Sequence, residues 1–130
     1  MDEQQKSIGD RLRELFSDRK TDVITTYGAG DATLTHHLRE ATAEEDIAFR
    51  RRSTAVKFIG SRAVPADEAF QAPILFYDQI CESVDVEIDG ESQILDDFKN
   101  KIPPDLKCAV ISAFQNRFQI VINRNGEGKN

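Results

Sequence analysis

Apolar positions in this chain recur at two different spacings, and the spacing switches several times along its length. Ile8, Leu12, Leu15 and Phe16 stand at i, i+4, i+7 and i+8, the stripe of an amphipathic helix. The runs "DVITTY" (22–27) and "ATLTHHL" (32–38) are β-rich, and Gly28-Ala29-Gly30-Asp31 between them predicts a hairpin. Thr42 followed three residues later by Glu45 is a capping-box pattern, with Glu44, Glu45 and Asp46 in the first turn. It predicts a helix from Ala43 to about Phe58, closed by a loop at "GSRAVP" (60–65).

A second helix is expected from Ala66 to Ser83, where Ala69, Phe70, Ala72, Leu75, Phe76, Ile80 and Cys81 give a broad apolar side. Pro73 inside it predicts a kink or a late start. "VDVEIDG" (84–90) alternates strictly and ends in Asp89-Gly90, a strand and a tight turn. "QILDDFKNK" (93–101) reads as a short helix. Pro104 suits the first turn of a last helix running from Leu106 to Phe118, apolar over a wide arc and expected to be the most buried element. The run "FQIVI" (118–122) fits either an extension of that helix or a strand.

These elements predict an α+β fold, as a helix-dominated single domain with an N-terminal β-hairpin and three to four packed helices. The expected organisation is an amphipathic helix over 1–21, a core over 22–122 and a disordered tail over 123–130.

Charge narrows the class of function. Of 130 residues, 31% are charged and 39% apolar, with a formal net charge of -6 and a mean hydropathy of -0.48. The acid is concentrated: Asp78 to Asp105 holds nine carboxylates against Lys99 and Lys101. That balance argues against nucleic acid as the partner. No apolar run is long enough to span a bilayer, and the first residues carry no apolar leader core. Cys81 and Cys108 stand singly, outside any CxxC, and are expected as buried free thiols in a cytoplasmic protein.

Against this acidity, Arg50-Arg51-Arg52 is the one run of three cations. Successive helical residues point about 100° apart, so the three fan around the helix instead of forming one patch. Arg50 is expected to pair with Asp46, four residues back. The stem of Arg52 is expected to cover Phe49 and Val56. Arg51 points along the side of Ile47, Ala55 and Phe58, which requires an internal partner or an external one. Arg50, Arg51, Arg52 and Phe49 are therefore the candidate partner-binding residues.

Asp85, Glu87 and Asp89 at alternate positions, followed by Gly90 and Asp96, imitate a calcium loop. Glu87, Ser92 and Asp96 each depart from that pattern, and a half-buried strand with acids outward accounts for the same residues. No metal is favoured there. His36 and His37, adjacent on a strand, face opposite sides, one packed and one exposed. No phosphate loop, HExxH or nucleophile elbow is present, so neither an enzyme nor a cofactor is expected.

Three phrases in order, "LREATAEEDIAFRRRS", "ILFYDQICESVDVEI" and "IPPDLKCAVISAF", resemble small products of phage and prophage tail operons, in particular tail assembly chaperones. In those, a strand ending in an "LREPT"-like phrase precedes an acidic-then-basic helix, and a "LYD" helix and a Pro-led helix follow. The resemblance covers about residues 22–115. It implies a non-enzymatic assembly factor of the host-cell cytoplasm that shields the helical tape-measure protein, with self-association open. The alternative from the residues is a regulatory or ligand-binding module whose acidic 85–96 segment holds calcium or a basic partner.

Overall fold

A computed structural model describes residues 7–17 and 19–117. The expectations for 118–122 and for a tail over 123–130 lie outside the described residues. Helix α1 (Ile8–Ser17) is followed by strands β1 (Lys20–Tyr27) and β2 (Ala32–Arg39) and helix α2 (Ala43–Ser53). A short pair, β3 (Val56–Ile59) and β4 (Arg62–Pro65), leads into α3 (Asp67–Ile80). Then come β5 (Cys81–Ile88), β6 (Glu91–Ile94), α4 (Phe98–Lys101) and α5 (Pro104–Gln115).

The β1–β2 hairpin predicted across Gly28-Ala29-Gly30-Asp31 forms, with Tyr27 opposite Ala32 and Lys20 opposite Arg39. It is one half of a larger antiparallel sheet in the order β1-β2-β5-β6. The expectation of a helix-dominated domain with a single hairpin is thereby overturned. The fold is α+β, with five helices and six strands among the described residues.

Strands β3, β4 and β6 stand where a helix or a loop was expected, for identifiable reasons. The helix expected to reach Phe58 stops at Ser53, where the Thr54 hydroxyl and amide both donate to the Arg50 carbonyl. The following Val56-Lys57-Phe58-Ile59 is β-prone, and Gly60 at φ 65° makes the tight turn back into β4. The residues read as a loop over 60–65 are thus a turn and a strand. Helix α3 runs unbroken through Pro73 from Asp67, then passes directly into β5 at Cys81, so Cys81 to Ser83 are strand where helix was expected. At the Asp89-Gly90 turn both residues take positive φ, 53° and 82°, the geometry of a two-residue hairpin. The turn sends Glu91–Ile94 back as β6, leaving only Phe98–Lys101 of the expected short helix.

The core lies between one face of the sheet and the helices. Leu34, Leu38 and Val84 from the sheet meet Phe76, Tyr77 and Ile80 of α3 and Val110, Ile111 and Phe114 of α5. Helix α5 starts at Pro104, as its prolines predict. It buries one stripe instead of a wide arc, since Ala109 and Ala113 are exposed, and α3 contributes as many buried side chains. Cys81 is buried, Cys108 half-buried, and both thiols are free.

Candidate functional site

Strand alternation separates the two histidines as expected. His36 points into the core and is wholly buried. Its Nδ1 meets the Tyr77 hydroxyl at 2.7 Å and its Nε2 meets Thr25 Oγ1 at 2.9 Å. Burial, and then the charge of His37, lower its pKa from 6.5 to about 4. The ring is therefore neutral, donating from one nitrogen and accepting at the other.

His37 lies on the opposite, solvent-facing side of the sheet, between two carboxylates on neighbouring strands. Its Nδ1 donates to Asp22 on β1 and its Nε2 to Asp85 on β5, each at 2.8 Å. With both ring nitrogens donating, the ring is held in its charged form. The Asp85 hydrogen bond raises its pKa most, with Asp22 adding to it against some desolvation. The register carried this signal: with Tyr27 opposite Ala32, counting back along both strands sets Asp22 opposite His37. Asp85 could not be found that way, because its alignment depends on the long-range pairing of β2 with β5.

The capping box forms in full, the Thr42 hydroxyl accepting from the Glu45 amide and the Glu45 carboxylate from the Thr42 amide. The same carboxylate takes a two-pronged grip from Arg39, at 2.8 and 2.7 Å. That bond, with the cap amide, holds Glu45 down to about 2. Arg39 Nη2 also donates to the Gln79 carbonyl near the end of α3. One guanidinium thus ties the end of β2 to the start of α2 and the end of α3.

The three arginines separate as their helical angles require. Arg50 pairs with Asp46 at 2.9 Å. Arg52 is half-buried, while Arg51 is exposed and has no ion pair among the described residues. Its expected neighbour Ile47 is exposed as well, so that side of α2 faces outward. Phe49 is not a free contact residue. It stacks on Phe76, ring centroids 4.5 Å apart.

The acidic segment does not form a cage. Asp85 and Glu87 project from β5, Asp89 sits in the turn and Asp96 follows β6, while Asp85 is engaged by His37. Among the described residues no three His, Cys, Asp or Glu side chains converge on a point that could hold a metal ion.

Sequence reasoning also missed Lys107, which is buried on α5. Its ammonium donates to Asp78 on α3 at 2.8 Å and to the Lys99 carbonyl, and lies 5.5 Å from the Tyr77 ring centroid. No local spacing pointed to it, because its partner Asp78 lies 29 residues away.

Apolar side chains are exposed on α1, and an apolar groove opens beside the sheet. Ile8, Leu12 and Leu15 on α1 are 74%, 45% and 66% exposed, an apolar stripe at helical spacing that no described residue covers fully. A groove of about 230 Å³ opens where Tyr27, Leu34 and Val86 of the sheet meet Leu95, Ile102 and Leu106. Among the described residues, no helix is long and apolar enough to cross a membrane.

Compared with family models, with curated proteins and with solved structures, this chain finds no match.

Proposed function

We propose that this α+β domain is a non-enzymatic binding protein that holds a helical protein partner, in the manner of a phage tail assembly chaperone on its tape-measure protein. The exposed apolar stripe of α1 carries the reading. A ten-residue helix is too short to be stable in water on its intrinsic propensity, so its apolar face calls for a surface to bury against. An amphipathic partner helix offers such a surface, with Ile8, Leu12 and Leu15 as anchors at helical spacing. The three quoted phrases supply the tail-assembly part of the proposal.

The test is co-expression with the long, helix-rich protein encoded in the same operon, followed by affinity purification through a tag on this chain. Recovery of the pair, and its loss in Leu12→Asp, is the expected outcome. Failure of the purified proteins to bind at micromolar concentration would overturn the proposal.

A further inference from the structure

The segment 50–65 holds five cations, Arg50, Arg51, Arg52, Lys57 and Arg62, and no acid, in a chain that is acidic overall. It comprises the last turn of α2 and the whole β3–β4 arm. Arg50 and Lys57 are paired within the molecule, to Asp46 and Asp67. Arg51, Arg52 and Arg62 have no ion pair among the described residues. Every side chain of β3 is exposed, including Phe58 at 68% and Ile59 at 65%. Among the described residues the arm presents large apolar side chains on both faces beside these cations, and only Val64 of its two strands is half-buried.

The β5–β6 hairpin has the complementary character. Glu87, Asp89, Glu91 and Asp96 are exposed and carry no ion pair among the described residues, and Ile88 and Ile94 stand exposed among them, Ile94 at 67%. β6 is the last strand of the four-stranded sheet, so its outer backbone edge is unpaired among the described residues. Among the described residues β3 has an unpaired edge too, in a separate two-stranded sheet, and both strands are four residues long. Backbone edges of equal length, opposite charge and apolar side chains on both sides are what strand addition between molecules uses.

We infer that the β3–β4 arm of one molecule docks on the β5–β6 hairpin of a second copy, adding β3 to the edge of β6. A second copy is the occupant because both halves of the match lie on this one chain, and among the described residues Arg51, Arg52 and Arg62 on one side and Glu87, Asp89, Glu91 and Asp96 on the other have no ion pair within it. The contact is heterologous: each molecule uses one surface as donor and another as acceptor, so association extends into a chain or closes as a ring. Charge steers the encounter and the apolar residues hold it, which makes the assembly sensitive to salt. The inference is independent of the helical partner proposed for α1, and its test needs no other protein.

The test is sedimentation velocity on the full chain and on two exposed-surface variants, with circular dichroism to verify that both remain folded. One variant disables the arm (Phe58→Asp with Arg62→Glu) and the other disables the hairpin (Glu91→Lys with Ile94→Arg). The wild type is expected to grow in mass with concentration at low salt and to revert toward monomer at about 0.5 M salt, where the Debye length is about 4 Å. Each variant alone is expected to be monomeric, because its copies share the same defective half. Mixed in equal amounts, the two are expected to form a heterodimer that grows no further, joining the intact arm of one to the intact hairpin of the other. A wild type that stays monomeric at submillimolar concentration and low salt would overturn the inference. So would variants that associate like the wild type, or a mixture that remains monomeric.

Discussion

His37 Nε2 and Asp85 Oδ2 lie 2.8 Å apart across the β2–β5 pairing, with Asp22 at the same distance from the other ring nitrogen. One protonated ring therefore ties three neighbouring strands on the open face of the sheet. The folded ring holds its proton more tightly than an unfolded one at 6.5, so its contribution to stability is complete below that value and is lost as pH rises through the folded value. His37→Gln should flatten the decline in melting temperature on the alkaline side of neutrality. An NMR titration should find the His37 ring above 6.5, and a ring titrating at or below that value would contradict this account.

His36 acts in the opposite direction. Its folded pKa of about 4 lies below the ordinary 6.5, so its contribution is present above 6.5 and is lost as pH falls toward 4. Acid unfolding should begin in that window, before Glu45, held at about 2, gives up its charge. Far-ultraviolet circular dichroism against pH should show loss of structure setting in between 6.5 and 4. His36 and His37 share one sequence context and differ only in the face of the strand they occupy.

The Tyr77 hydroxyl is the partner of the His36 Nδ1 atom inside the core. Tyr77→Phe keeps the ring and its edge-on contact with His36, and removes that hydrogen bond together with the hydroxyl's interaction with the Cys81 thiol. A buried imidazole nitrogen left without a partner should cost about 1–3 kcal/mol in urea unfolding.

Glu45→Ala removes the capping-box carboxylate and the partner of Arg39 together, and should cost about 2 kcal/mol. Arg50→Ala breaks only the exposed pair with Asp46 and should cost about 0.5 kcal/mol or less. Arg51→Ala should leave the melting temperature unchanged, since the side chain is exposed and has no ion pair among the described residues. Parallel denaturant titrations of the three variants separate these outcomes.

Lys107 and Asp78 form a pair buried mainly at the lysine end, with side-chain exposures of 5% and 34%. Removing the carboxylate strands the ammonium, and Asp78→Ala should cost about 3 kcal/mol. Lys107→Met should cost less, because it removes the buried charge and keeps an unbranched apolar stem in the same space. Equal losses in the two variants would mean that the pair itself, not the stranded charge, sets the cost.

Features governed by short-range rules were legible in the residues. The Thr42–Glu45 capping box, the Asp46–Arg50 pair, the β1–β2 hairpin, the Asp89-Gly90 turn and the start of α5 at its prolines each depend on residues a few positions apart. The missed strands depend on longer reach. Val56 to Ile59 is apolar enough to continue a helix, and only pairing with β4 makes it a strand. Cys81 to Ser83 looks like the end of α3, but β2 takes it into the sheet. Of the candidate site residues, the pairing of Arg50 with Asp46 followed from helical spacing. The stacking of Phe49 on Phe76 did not, because it requires α2 to lie against α3.

The residues by themselves determined where the chain turns, which helix start carries a capping box, that the two histidines face opposite sides and where the acid and the cations concentrate. Each of these follows from local backbone preference, from the two-residue repeat of a strand or from a count along the chain. Tertiary structure alone decided that Asp85 meets His37, that Lys107 is buried against Asp78 and that Arg39 joins the ends of β2, α2 and α3. Apart from the six-residue step from Arg39 to Glu45, those contacts span tens of residues, and their partners are chosen by how the sheet and helices pack around a shared apolar core.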